Sequence, residues 1–405
     1  MMRFKDGRRL QTIKRACAAL ALLASIPGAA GQSEEGPESG VVHLIRTANS
    51  AFDHYTFGPV WQDWILGHFH RMLVYSPYFD SRLSWYPDGI VYIDLYAIYV
   101  NNTLAAEHPN WILKDANRNN LYIPWGCSRG ACPQYAGDPS NPDFRQWWIN
   151  KARDLLSRGY RGLLVDDVNM EFRVSNDAGT FVNPIDPNTG KAMSGEDWRR
   201  YVAEFTEQIR RAFPNVEIFH NSIWFAGPNG VRDNDSYIRR QIAAAGSQCV
   251  ELGVNDSGLT GGNGSFSLNS LLGYIDRLHA NGRSVTLAGV PVDPAGRQYA
   301  LANYFLISNG TDYLGSNQLT VENWWDGFRV ALGTPMGPRS TWNGLLRRDF
   351  SAGIALVNPP QAPVITVRLP GSFRTIDRSI TITSVVLGPG QGTVLLSNLT
   401  VEGGN

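Results

Sequence analysis

Cysteine is scarce, four residues in 405, so a small fold held by a disulfide framework is excluded. No glycine-rich phosphate loop follows the first apolar run, where "RTANSAFDHY" stands instead, which argues against a dinucleotide site. His43, His220 and Glu251 do not stand at H-x-H or H-E-x-x-H spacing to one another, so no metal and no cofactor is expected. Beyond residue 31 no apolar run is long enough to span a bilayer. The formal net charge is +0, but six basic residues and one acid lie within residues 1–31. The remainder holds 30 basic residues against 35 acidic ones. A mildly acidic chain is a poor partner for nucleic acid.

What is abundant is aromatic and turn-forming residue: 12 Trp, 16 Tyr and 17 Phe beside 41 Gly and 23 Pro, the profile of a loop-rich protein with ring surfaces. The N-terminus combines a basic stretch, the apolar "ACAALALLASI" and the small residues "PGAAGQ", the three parts of a secretory signal. Residues 1–31 are expected to be a cleaved signal and 32–40 a polar linker, giving a secreted or periplasmic protein. Cys127 and Cys132 enclose four residues, a spacing a disulfide loop closes. Cys249 opens an apolar run and is expected to be buried.

From residue 41 short apolar runs alternate with helical patterns. Strands are expected at 41–47, 71–79, 89–99, 162–169, 216–222, 249–256, 284–292 and 312–318. Helices are expected in "NPDFRQWWINKARDLLSRG", in "SGEDWRRYVAEFTEQIRRAF", which opens on Ser194-x-x-Asp197 and stops at Pro214, and in "SLNSLLGYIDRLHANG". Eight such runs suit a (β/α)8 barrel over residues 41–335; an open doubly wound sheet is the alternative. Near Pro335 the pattern turns to short β-rich runs with Gly and Pro turns, and 336–405 reads as a small antiparallel β-sandwich domain.

In a barrel, functional groups gather where the C-terminal ends of the strands form one mouth. The expected strand ends supply Tyr75, Asp94, Tyr96, Asp166, Asp167, Asn169, His220, Asn221, Trp224, Glu251 and Asn317, with Trp125 from a loop. Carboxylates, amides and aromatic faces in that mixture suit a polyol. Glycoside hydrolysis needs two carboxyl groups across the scissile bond. One is expected from Asp166 or Asp167; strand alternation leaves open which of them faces the mouth. The other is Glu251, whose setting in "CVELGV" is expected to be apolar, raising its pKa and favouring a general acid. A structural ion pair is the alternative for Glu251. Tyr75, Tyr96, Trp125 and Trp224 are candidate stacking platforms, and Asp94, Asn169, Asn221 and Asn317 candidate hydroxyl binders.

The succession "YIDLYAIY", "HPNWILKD", "YIPWGCSRGACPQYAGDPSNPDFRQWW" and "GYRGLLVDDVNM" resembles the hypothetical glycosyl hydrolase family 15 group of bacterial barrel proteins. More distantly, "GLLVDD" is similar to the matching strand of polygalactosaminidase-like and chitinase-like barrels. The resemblance spans roughly residues 41–330. It implies a barrel glycosidase in which Asp166 is aimed at the pocket, with Asp167 as the fallback and Glu251 as the second acid. Leu164 and Val168 stand where chitinases carry acids, so their substrate-assisted mechanism is not implied. The expected activity is that of a monomeric glycoside hydrolase acting on a polysaccharide or oligosaccharide. The alternatives are a non-catalytic glycan-binding or matrix protein on a degenerate barrel, and a structural protein acting through its β-domain.

Overall fold

The structure, a computed structural model, describes residues 37–47, 58–127, 131–222, 232–316, 318–376 and 380–398. The expected signal at 1–31 lies outside them. Ten strands come first: β1 (Leu44–Thr47), β2 (Arg71–Val74), β3 (Gly89–Asp94), β4 (Ala97–Tyr99), β5 (Gln134–Ala136), β6 (Gly162–Asp166), β7 (Glu217–Asn221), β8 (Ser247–Val250), β9 (Ser284–Leu287) and β10 (Tyr313–Ser316). All but β4 and β5 close a parallel barrel in the order β1-β10-β9-β8-β7-β6-β3-β2. Each of the eight expected runs contributes one barrel strand. The helices are α1 (Pro59–Leu66), α2 (Leu104–Glu107), α3 (Pro142–Ser157), α4 (Gly195–Ala212), α5 (Ser236–Ala244), α6 (Leu268–Ala280) and α7 (Pro294–Ile307).

Local chemistry sets the helix starts. The Asn141 side chain accepts the Asp143 and Phe144 amides ahead of α3, with Pro142 at the first turn. Ser194 and Asp197 form the expected capping box on α4, satisfying amides that have no partner inside the helix. On α4, Trp198, Tyr201, Val202, Phe205 and Ile209 are buried, one apolar face at helical spacing laid on the barrel.

The strands stop earlier than the apolar runs do. The expected strand 89–99 is two elements: β3 ends at Asp94, whose Oδ1 accepts the amides of Tyr96 (2.8 Å) and Ala97 (2.7 Å). That Asx turn sends the chain sideways into β4, which pairs antiparallel with β5. The run 162–169 ends as a strand at Asp166, because Asp167 has a left-handed φ of 53°. The run 249–256 leaves the sheet after Val250 and coils through Gly253, also at φ 53°.

Inside the barrel, Ile45, Leu73, Ile90, Leu164 and Phe219 form a core of their own, with Tyr92 and Tyr313 against it. Leu163 and Val165 belong instead to the layer between strands and helices. At the N-terminal end of the barrel Arg71 grips Glu217 with two bonds of 2.9 Å, and Arg161 adds a third at 2.7 Å.

The chain then builds β11 (Ser340–Trp342), β12 (Leu345–Phe350), β13 (Gly353–Asn358), β14 (Ile365–Thr375), β15 (Thr381–Leu387) and β16 (Gln391–Ser397), hydrogen-bonded antiparallel in the order β11-β12-β13-β16-β14-β15. The register of β14 shifts between Arg368 and Phe373, and the sheet folds over there. Leu345, Ile354, Leu356 and Leu395 then face Val367, Leu369, Val385 and Leu387 across a second core. The architecture is therefore the expected (β/α)8 barrel with a C-terminal antiparallel β-sandwich. On β13 the alternate residues Ala355 and Val357 join the main core, so that strand is buried on both faces. Between barrel and sandwich lies α7, buried from Tyr299 to Ile307 without a break.

Candidate active site

Asp94 and Asp166 stand side by side at the C-terminal ends of β3 and β6. Alternation along each strand puts Asp94 on the face of Ile90 and Tyr92, and Asp166 on the face of Leu164. Those are the inward residues, so both carboxyls rise from the barrel core into the mouth. Alternation alone sends Asp167 outward, but its left-handed backbone turns the side chain back. Asp94, Asp166, Asp167, Glu251 and Asp256 all line one cavity of ≈ 570 Å³, together with Tyr92, Trp125, Gln134, Asn169, Asn221, Ser222 and Phe266. The question left open by the sequence, which of the two adjacent aspartates faces the mouth, has the answer that both do.

Their settings differ. Asp166 Oδ1 accepts Asn221 Nδ2 at 2.8 Å and the Asp167 amide at 2.9 Å. Two donors on that oxygen fix the direction of the carboxyl. Asp167 Oδ1 accepts Trp125 Nε1 at 3.1 Å and Asn169 Nδ2 at 3.0 Å. Burial, and then the Asp166 charge, pushes Asp167 up to about 6. Asp94 is raised well above the ordinary carboxyl value, by burial first and then by Asp167 and Asp166. Burial and mutual repulsion hold Asp94 and Asp167 toward the protonated form beside Asp166.

Glu251 corrects one expectation. The apolar enclosure inferred from its neighbours is absent: β8 ends one residue earlier, and Glu251 is exposed in the turn beside Leu252, itself 54% exposed. It still lines the mouth, from the strand two places round the barrel from β6.

Of the candidate platforms, Trp125 is 47% exposed and lines the mouth. It stands two residues before Cys127, which forms the expected disulfide with Cys132. Tyr75 is exposed and packs its ring 5.0 Å from that of Tyr92, outside the lining set. Tyr96 is not brought to the mouth. It is fully buried, edge-on to Trp198, with its hydroxyl on the Arg173 carbonyl. His220 faces outward as well: its Nδ1 meets Gln241 Nε2 on α5 at 2.8 Å, and burial lowers its pKa to about 3. Trp224 and Asn317 lie outside the described residues. Cys249 is buried, and burial lifts its thiol to about 12.

Sequence reasoning missed Tyr92, Gln134, Ser222 and Phe266. Tyr92 was within reach, since it shares the face of Asp94 two residues away. Gln134 arrives on β5, an element that no apolar run announced. The letters Gly126-Cys127-Ser128-Arg129-Gly130 spell G-x-S-x-G. They follow a turn, not a strand, and Cys127 is in the disulfide; residues 128–130 lie outside the described ones. Among the described residues no group of three His, Cys, Asp or Glu is placed to hold a metal ion.

No protein-family model and no curated protein sequence matches the chain. Among solved structures it is similar to the glycoside hydrolase domain of PelA from Pseudomonas aeruginosa, at 18% identity over 69% of this chain and 97% of that one, with a TM-score of 0.42. It is similar to the maltogenic alpha-amylase AmyB from Thermotoga neapolitana, at 12% identity over 89% of this chain and 99% of that one, TM-score 0.49. A third similarity is to the GH36 alpha-galactosidase AgaB from Geobacillus stearothermophilus, at 12% identity over 87% of this chain and 54% of that one, TM-score 0.46. The structural neighbours are thus glycoside hydrolases.

Proposed function

We propose that the protein is a secreted glycoside hydrolase that cleaves O-glycosidic bonds of a polysaccharide with two carboxyl groups. The observation that carries this reading is the convergence of carboxyl groups from the ends of β3, β6 and β8 on one cavity that also presents an exposed tryptophan face. Acids across a cleft and a ring for a pyranose to stack on are what glycoside hydrolysis requires. The sequence resemblance to the family 15 group points the same way, and the signal-like N-terminus supports export.

In this reading Asp166 is the ionised partner, acting as nucleophile or base. The Asn221 amide and the Asp167 backbone N–H fix the direction of its carboxyl. Glu251, which lines the same mouth from the turn after β8, protonates the leaving oxygen. Asn169 and Asn221 each spend one N–H on an aspartate, which leaves their carbonyl oxygens for sugar hydroxyls. The Asp94–Asp167 pair keeps the floor of the mouth below full negative charge, so that Asp166 does not have to share its field with two more anions.

The test is release of reducing ends from a panel of neutral, acidic and amino polysaccharides by the wild type, Asp166→Asn and Glu251→Gln. Each variant is expected to lose about 10²–10⁴-fold in kcat/KM while unfolding at the wild-type temperature. Undiminished hydrolysis by Asp166→Asn sinks the assignment. Glycan binding by the wild type with no hydrolysis anywhere in the panel transfers the protein to the non-catalytic reading.

A further inference from the structure

On the flank of the barrel, α5 and α6 leave a second cavity between them, of ≈ 410 Å³. Arg239, Arg277 and Arg283 line it, over Ile242 and Leu278. Its single carboxylate, Asp233, is taken by Arg277 through two hydrogen bonds, the longer 3.0 Å. Arg239 gives one N–H to the Asn234 carbonyl at 2.6 Å and has no ion pair among the described residues. The Nε of Arg283 is buried and has no hydrogen-bond partner among the described residues. Behind it Arg210 ties off the carbonyls of Ala244 (2.8 Å) and Val216 (2.9 Å). Burial, and then the Arg283 charge, holds Arg210 below the usual guanidinium value.

The polarity is the reverse of the mouth. There, five carboxyls line the cavity with no Lys, Arg or His; here three guanidiniums meet one carboxylate. Guanidinium forks match the geometry of an oxyanion, and a buried N–H without an acceptor strengthens the case for a ligand that brings one. A carboxylate offers two oxygens and is satisfied by a single fork. With Arg277 held by Asp233, Arg239 from α5 and Arg283 from the loop after α6 line the groove and suit a group with oxygens on more than one side.

We propose that this groove binds a compact tetrahedral oxyanion, a phosphate or sulfate group, either free or carried on a small ligand whose apolar part rests on Ile242 and Leu278. The site is separate from the mouth and does not depend on the hydrolase reading.

Isothermal titration of the full chain with inorganic phosphate and with sodium sulfate, against chloride at equal ionic strength, tests it. Saturable one-site binding is expected, unchanged in Asp166→Asn. Arg283→Gln is expected to weaken it roughly tenfold. Arg239→Gln, on an exposed side chain whose loss leaves the fold intact, is expected to weaken it as well. A sugar phosphate that binds more tightly than inorganic phosphate assigns the anion to a carried group, and equal affinity assigns it to the free ion; both uphold the site. No saturation beyond the chloride control overturns the proposal, and so does binding that both arginine variants retain in full.

Discussion

Asp167 combines an unusual backbone with an unusual proton. Its φ of 53° is a conformation that aspartate tolerates better than most residues, and it is what returns the carboxyl to the mouth. In the folded chain that carboxyl titrates at about 6 against an ordinary value of 3.8. The folded chain therefore keeps a proton that the unfolded chain releases, and stability falls as pH rises from about 4 through 6. Above that window the full penalty applies, on the order of 2–3 kcal/mol. Asp167→Asn cannot ionise and keeps an acceptor oxygen for Trp125 and Asn169. It is expected to be more stable than the wild type at pH 8, with the gain gone by pH 4. Denaturant unfolding at pH 4, 6 and 8 checks this; equal stability at pH 8 refutes the burial cost assigned to Asp167. The doublet Asp166-Asp167 was legible in the sequence as an anomaly at the end of an apolar run. That both members face inward was not, because strand alternation holds only while the backbone stays extended.

At the level of elements, the mouth depends on turns as much as on strands. Glu251 is held by the coil that leaves β8, and Gly253 lets that coil pass close to the end of β9. A Cβ on Gly253 would lie 2.3 Å from the Ala288 carbonyl oxygen, and the positive φ adds its own strain. Gly253→Ala is expected to cost about 1–3 kcal/mol and to lower hydrolysis through the displaced Glu251. A variant with wild-type melting and wild-type kcat/KM would show that the turn does not position the acid. The eight runs that became barrel strands were readable because a strand covered on both sides must be continuously apolar. Their ends were not. β3 stops where the Asp94 side chain captures two amides, and β8 stops in the middle of "CVELGV", a stretch whose composition does not change. The same blindness made Glu251 look enclosed, since neighbours in sequence were read as neighbours in space.

For the molecule as a whole, α7 decides how the parts hold together. It is buried between barrel and sandwich, and Gly392 of β16 lies against Ala302 so closely that an added Cβ would meet the alanine methyl at 2.8 Å. Arg348 of β12 reaches the end of α7 and donates to the carbonyls of Phe305 (3.1 Å) and Ser308 (2.7 Å). Burial lowers its pKa to about 10, which leaves it charged at neutral pH. Truncation after residue 335 is expected to give an insoluble chain, because it bares one side of a helix that is buried all round from Tyr299 to Ile307. Arg348→Ala is expected to cost roughly 2–4 kcal/mol while calorimetry still shows one transition. A soluble truncated barrel with the melting temperature of the full chain would refute the shared core.

The barrel's seam has a consequence for how the chain is made. Leu44 on β1 pairs with Leu314 on β10, so the first strand off the ribosome cannot complete its bonding until the last barrel strand has emerged. Throughout that interval the growing sheet carries two bare edges, each a template for pairing with another chain. Shielding of those nascent edges is then a requirement of folding that the finished barrel no longer shows.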